Sequence, residues 1–120
     1  MAWTVEFYLA ADRTAPVEVF LAGLPRTHRA KALAVVKLLE EVGLTLPFPY
    51  SSQVQGKIRE LRTRQGKDRI RILYFGDPRQ WFILLHGLIK RADKLSEADI
   101  AIAERRRKDH VDRLEGGRRA

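Results

Sequence analysis

Seven basic residues, set against two acidic ones, fall between Lys57 and Arg71 in the stretch KIRELRTRQGKDRIR. A guanidinium offers a planar fork of N–H donors that matches two oxygens of a phosphate. Arginines repeated along one strand face are therefore suited to gripping a polyanion. The spacing allows this, because strand side chains alternate between faces. Over residues 69–75, Arg69 and Arg71 share a face with Leu73 and Phe75, opposite Ile70, Ile72 and Tyr74. Helices cover apolar faces, so the isoleucines are expected to meet them and the two arginines to project from the open side. In the preceding run Glu60 and Arg62 alternate against Leu61. A later run sets Phe82, Leu84, His86, Leu88 and Lys90 against Trp81, Ile83, Leu85 and Ile89. Both sides are apolar, which marks a central strand that periodicity alone does not orient. If His86 and Lys90 face the arginines, one surface gathers Arg62, Arg69, Arg71, His86 and Lys90. If they face away, His86 is a core histidine.

The elements that must position these residues are legible in outline. Residues 3–10, WTVEFYLA, are aromatic and β-branched and predict a strand. APVEVFLAGLP carries Pro16 where a first helical turn tolerates it and stops at Gly23-Leu24-Pro25. The next run repeats Ala32, Val35, Val36, Leu39 and Val42 at helical spacing before Gly43. LTLPFPYSSQVQG, with two prolines and small polar residues, reads as a loop, extended in part. KIRELR, RIRILYF and WFILLHGLIK then read as three strands of an antiparallel meander, joined by the glycine-containing turns TRQGKD and GDPRQ. A last helix begins at a capping-box-like Ser96 and Asp99, with Ile100, Ala103, Val111 and Leu114 near one face. Its RRRK segment at 105–108 is expected on the exposed side of the helix. The order predicts an α+β domain with helices on one face of a small antiparallel sheet. Its boundaries are residues 1–114, followed by a basic tail at 115–120.

The totals narrow the class. At 120 residues the chain has the length of one domain, and 45% apolar residues suffice for a packed core. A formal net charge of +8 favours polyanionic partners. Cysteine is absent, which excludes disulfides and thiolate metal sites and fits a reducing compartment. The start MAWTVEFYLAADR lacks the basic and apolar regions of a signal peptide, and no apolar run approaches the roughly 20 residues of a membrane span. A soluble, cytoplasmic protein with no membrane association is expected. The three histidines, His28, His86 and His110, lie far apart and the acids form no spaced cluster, so neither a metal nor another cofactor is expected.

Four segments, taken together, resemble the RelE/ParE superfamily of type II toxins, in its HigB-like, phage-derived branch. They are PVEVFLAGLP at 16–25, ELR at 60–62, RILYF at 71–75 and LLHGLIKR at 84–91. The resemblance runs from Trp3 to about residue 113, with every segment in the same order. It implies a RelE-like fold with an N-terminal helical hairpin on one face of the sheet and a C-terminal helix. It also implies a cognate helix-turn-helix antitoxin, a toxin–antitoxin heterotetramer, and action on mRNA at the ribosome. Carried over position by position, Arg71 matches the residue that binds the scissile phosphate. Lys90 and Arg91 match the basic pair closing the last strand, His86 the histidine of LLHG, and Arg62 the arginine of ELR. The chain departs from the pattern at Ile58 and Glu60, where some RelE members carry lysines. It departs again at Ile70, which replaces an aromatic, and at Ala92 after Lys90-Arg91.

The chemistry so implied needs few groups, because RNA carries its own nucleophile in the 2′-hydroxyl. The protein must align the attack, stabilise charge on the phosphate and move protons. Arg71 and Lys90, with Arg69, would neutralise the phosphate, while Lys57, Arg62 and Arg91 would hold the flanking backbone. An imidazole titrates near neutrality, which suits His86 to proton transfer, and Glu60 is a second candidate base. Two alternatives stay open. One is a gyrase-directed toxin of the same fold, which needs no such cluster. The other is a non-catalytic nucleic-acid-binding protein or degenerate toxin on the same scaffold. Trp3, Phe7 and Trp81 are expected in the core.

Overall fold

In the computed structural model, which describes residues 2–119, a five-stranded sheet is sandwiched between helices. Along the chain come β1 (Val5–Phe7), α1 (Pro16–Gly23), α2 (Arg26–Val42) and a 3-10 turn at Gly43–Thr45. β2 (Ser51–Gln55), β3 (Ile58–Gln65), β4 (Asp68–Gly76), β5 (Phe82–Lys90) and α3 (Glu97–Arg119) follow. The strands lie in the order β1-β5-β4-β3-β2, with β1 parallel to β5 and every other pair antiparallel. The sequence expectation of an α+β fold with an N-terminal helical hairpin and a C-terminal helix is met.

The helices form as their sequences dictate. Pro16 occupies the first turn of α1, and Arg29 on α2 donates to the carbonyls of Leu21, Ala22 and Leu24 at 3.0 Å, satisfying the open end of α1. The buried stripe Ala32, Val35 and Leu39 turns α2 onto the sheet. Gly43 ends it at φ +73°, and the Trp3 ring occupies the space a Cβ would need there. At the head of α3, Ser96 Oγ accepts from the Asp99 N–H at 3.0 Å and donates to Asp99 Oδ2 at 2.6 Å, so the cap forms where it was expected.

Two cores result, one on each face of the sheet. α1 and α2 cover Leu61, Ile70, Ile72, Tyr74, Phe82 and Leu84. On the opposite face, Ala103 and Val111 of α3 pack with Ile58, Leu73, Phe75, Ile83 and Leu85. The expectation that all helices share one face is thus corrected. The mixed-polarity strands β4 and β5 expose apolar side chains on both faces, and burying the second set needs a second cover. β2 is a second correction, since its residues read as loop. With Ser51, Ser52 and Gln53 it carries no apolar alternation, and it is held by pairing with β3 and by a 2.7 Å hydrogen bond between Ser51 Oγ and Tyr74 Oη. β1 is shorter than residues 3–10, and α3 continues past the expected boundary at residue 114.

A third correction fixes the site. Leu73 pairs with His86 and Tyr74 with Leu84, leaving Leu85 as a β-bulge. Strict alternation would have set His86 with Phe82 and Leu84. The bulge instead turns His86, Leu88 and Lys90 to the face of Leu73, Arg71 and Arg69. Its carbonyl is satisfied from α3, where Arg106 Nη1 donates to Leu85 O at 2.9 Å.

Candidate phosphate-binding site

Beyond the reach of α3, the same sheet face turns basic. Cross-strand register places Arg62 opposite Arg71, Arg64 opposite Arg69 and Arg69 opposite Lys90. Glu60 lies opposite Leu73 on this face, one alternation from Arg62. The structure therefore gathers Glu60, Arg62, Arg69, Arg71 and Lys90, and adds Arg64, which sequence alternation with Arg62 could have supplied.

Arg71 does not project into solvent as the alternation suggested, for its side chain is only 5% exposed. It lies flat on the β3–β4 ladder, with Nη1 donating to Ile70 O at 3.0 Å and Thr63 O at 3.2 Å. Its Nε sits 3.3 Å from Glu60 Oε1, close enough to pair charges but not aligned to hydrogen-bond. Glu60 Oε2 accepts from Ser52 Oγ at 2.8 Å and from Arg62 Nη1 at 3.3 Å. Three buried atoms remain without a hydrogen bond among the described residues: Glu60 Oε1, Arg62 Nε and Arg71 Nε. Buried polar groups are seldom left so, and a cluster of them marks a place where a further polar group is needed.

The electrostatics point the same way. Burial lowers the Arg71 guanidinium's affinity for its proton, and Arg62, Arg69 and Arg64 lower it further against the opposing pull of Glu60. Lys90 is lowered first by burial and then by Arg71, Arg62 and Arg69, again with Glu60 opposing. One carboxylate thus faces several cations in a partly dry setting. An arriving phosphate would relieve the repulsion among the cations and accept from Arg62 Nε and Arg71 Nε, the two donors left without a hydrogen bond among the described residues.

The remaining expected residues are placed differently. His86 is on this face but lies under α3, where its Nε2 meets Asp99 Oδ1 at 2.7 Å and its Nδ1 lies 3.4 Å from Arg106 Nη1. Burial raises the Asp99 carboxyl, yet the hydrogen bonds from Ser96 and His86 outweigh it and hold it below its ordinary value. Lys57 is exposed in the β2–β3 turn, whose Gly56 adjoins Glu104 of α3, and so it stands apart from the cluster. Arg91 is exposed just beyond β5, next to Lys90.

Within the RRRK segment Arg105 is exposed, but Arg106 anchors the bulge and Arg107 pairs with Glu104 at 3.0 Å over the Phe75 ring. That segment is partly structural. Trp3 packs on Phe82 and Trp81 under Arg79, so neither offers a free ring face.

Two features had no clear sequence signal. Ser52 and Asp99 bind the candidate bases Glu60 and His86 from segments that sequence patterning does not bring near. A cleft of about 430 Å³ also opens between α2 and β3, lined in part by Tyr50, Arg62, Arg64 and Arg71. No helix among the described residues is long and apolar enough to cross a membrane.

A family model described as phage derived protein Gp49-like (DUF891) matches residues 19–108, about three quarters of the chain. The match takes in α1 from Val19 onward, α2, the whole sheet except β1, and the first half of α3. No curated protein matches the sequence.

Proposed function

Because the chain belongs to the Gp49-like family of phage-derived proteins, a toxin family of the RelE/ParE type with antitoxin partners, we propose that it is a HigB-like, ribosome-dependent mRNA endoribonuclease. The observation that carries this is the Arg62–Arg71–Lys90 cluster around Glu60, with its buried N–H donors left unfilled. The toxin would act in the cytoplasm on translated message, as a single domain in complex with its antitoxin when neutralised.

In this mechanism the scissile phosphate takes the place that the Glu60 carboxylate now fills between Arg71 and Arg62, with Lys90 and Arg69 closing from the strand ends. Drawing the guanidiniums toward the phosphate frees Glu60 Oε1, the acceptor without a hydrogen bond, to take the proton of the attacking 2′-hydroxyl. Charge building on the phosphate oxygens would meet these cations in a partly dry setting, where electrostatic stabilisation is worth most. Arg62, expected from the sequence to hold the flanking backbone, would instead grip the scissile phosphate, leaving Arg91 for the flanking backbone and Lys57 for only more distant phosphates. His86 could donate a proton to the departing 5′-oxygen only with Asp99 moved off its Nε2, so its role requires α3 to shift.

That same engagement of His86 favours the second class of reading, a toxin that binds nucleic acid or poisons gyrase without cleaving RNA. Inducible expression of wild type, Arg71→Ala and Lys90→Met, with primer extension on a translated message, separates the two. Cleavage inside the reading frame that both substitutions abolish supports the nuclease. Growth arrest with intact message would sink it and direct attention to gyrase.

A further inference from the structure

The cleft beside the cluster has features that phosphate binding alone does not need. It lies where β3 runs beyond its neighbour: the Arg62 N–H bonds Tyr50 O at 2.8 Å, and the β2–β3 register ends at Ser51 and Leu61. Its floor is apolar, from Ala34, Val35 and Leu38 of α2. Its lining carries four cations, Lys31, Arg62, Arg64 and Arg71, and no carboxylate. Phe48 and Tyr50, 68% and 46% exposed, are the large aromatic rings left exposed among the described residues, and both belong to the short segment at its rim. Phe48 holds the Arg62 guanidinium 4.8 Å from its ring centre, while Tyr50 lines the cleft itself. Leaving two aromatic rings in water forgoes the stabilisation that burial would bring, and neither packs in either core.

We propose that this cleft is a base-binding subsite for single-stranded RNA, in which Tyr50 stacks on one unpaired base and Lys31 and Arg64 hold the adjoining phosphate. The proposal rests on the reading of the basic cluster as an RNA site and adds to it the place where a neighbouring nucleotide sits. Arg62 and Arg71 border both the cluster and the cleft, so a strand gripped at Arg71 passes over β3 directly into it. A base has an apolar face for the α2 floor and a phosphate for the cations, whereas an apolar peptide would leave Lys31 and Arg64, which have no carboxylate of their own among the described residues, unmatched. Aromatic stacking accepts any base, which predicts occupancy with little sequence preference.

The test is fluorescence anisotropy with a short, fully 2′-O-methylated oligoribonucleotide, which the protein cannot cleave. It uses the full-length wild type, Tyr50→Ala and Tyr50→Phe, with thermal melting to show that each is folded. Tyr50→Ala is expected to weaken binding roughly tenfold or more, and Tyr50→Phe to keep it. Abasic nucleotides substituted one at a time should cost the wild type a similar factor at one position and cost Tyr50→Ala nothing further. Equal binding by Tyr50→Ala and wild type, indifference to every abasic substitution, or no binding by wild type would each overturn the subsite. Loss of antitoxin affinity in Tyr50→Ala with RNA binding intact would also overturn it, by making the cleft a protein dock. Message cleavage is measured separately on wild type. Cleavage with Tyr50→Ala binding unchanged removes only the subsite, while Tyr50-dependent binding without cleavage removes only the nuclease.

Discussion

His86 Nε2 and Asp99 Oδ1 stand 2.7 Å apart across the junction of β5 and α3, so the histidine that the sequence offered for proton transfer is engaged in docking a helix. Both side chains are partly buried, at 16% and 26% exposure, which strengthens the pair over a surface contact. A double-substitution cycle with His86→Ala and Asp99→Ala is therefore expected to show a coupling of about 1 kcal/mol by urea denaturation. Hydrogen exchange along α3 should quicken in both single variants, and more in Asp99→Ala, which also loses the contact with Ser96 at the helix cap. A coupling of zero would release His86 from this structural role and return it to catalysis without any helix movement.

Arg71 and Glu60 share a second consequence of burial. Their side chains are 5% and 8% exposed, so removing the guanidinium strips a buried carboxylate of one of its two counter-charges. Arg71→Ala is expected to cost about 3 kcal/mol of stability in addition to abolishing cleavage. Adding Glu60→Gln should recover part of that loss without restoring activity. Urea midpoints for the single and double variants give the answer. Recovery of neither stability nor activity would mean that Arg71 is held by its bonds to Ile70 and Thr63 and owes little to Glu60.

What could be read in advance follows from the kind of order each element carries. α2 and the strands β3, β4 and β5 announce themselves through apolar periods of 3.6 and 2, because each buries a continuous face. β2 does not, since the buried Ser51 is held by a hydrogen bond to Tyr74 and the half-buried Ser52 by one to Glu60, and polar partners leave no periodic trace. The arginine face was legible from alternation in β3 and β4. Depth was not: alternation tells which way Arg71 points and nothing of the carbonyls that hold it flat. The faces of β5 were beyond reach for a different reason, because a single unpaired residue, Leu85, inverts every assignment after it. The cover of α3 over His86 depends on Arg106, which in sequence resembles any solvated helix position, and on Asp99, which was legible only as a helix cap.

The bulge sits beside a glycine whose place is dictated by α1. A Cβ on Gly87 would fall within the Phe20 ring, so close packing of α1 on β5 depends on the missing side chain. Gly87→Ala is expected to destabilise the protein by about 1–3 kcal/mol through overpacking. Phe20→Leu on the same chain should recover much of it by clearing space. Thermal melting of the three variants checks this, and equal melting temperatures for Gly87→Ala and wild type would refute the contact.

Asp77 sets an acid limit on the far end of α3. Its carboxylate, fully buried, accepts from Arg79 Nη2 at 2.6 Å, pairs with His110 Nε2 at 3.0 Å, and receives the backbone N–H groups of Arg79 and Trp81. Burial alone would raise its pKa, but the hydrogen bonds from Arg79, His110 and the backbone outweigh that and hold it below the ordinary 3.8. A carboxyl depressed in the folded state stabilises fully above its unfolded value and loses that contribution as pH falls through the lower, folded one. Asp99 and Asp109, which bind His86 and Tyr8 to α3, are depressed as well, so the docking of α3 shares one acid boundary. The melting temperature of the wild type should therefore hold steady from neutrality to about pH 4 and drop below it. Asp77→Asn is expected to cost about 2 kcal/mol at pH 7 and to narrow its difference from wild type as the pH is lowered through that boundary. If the two proteins instead lose stability in parallel below pH 4, the charge on Asp77 contributes nothing, and the acid sensitivity belongs to Asp99 and Asp109.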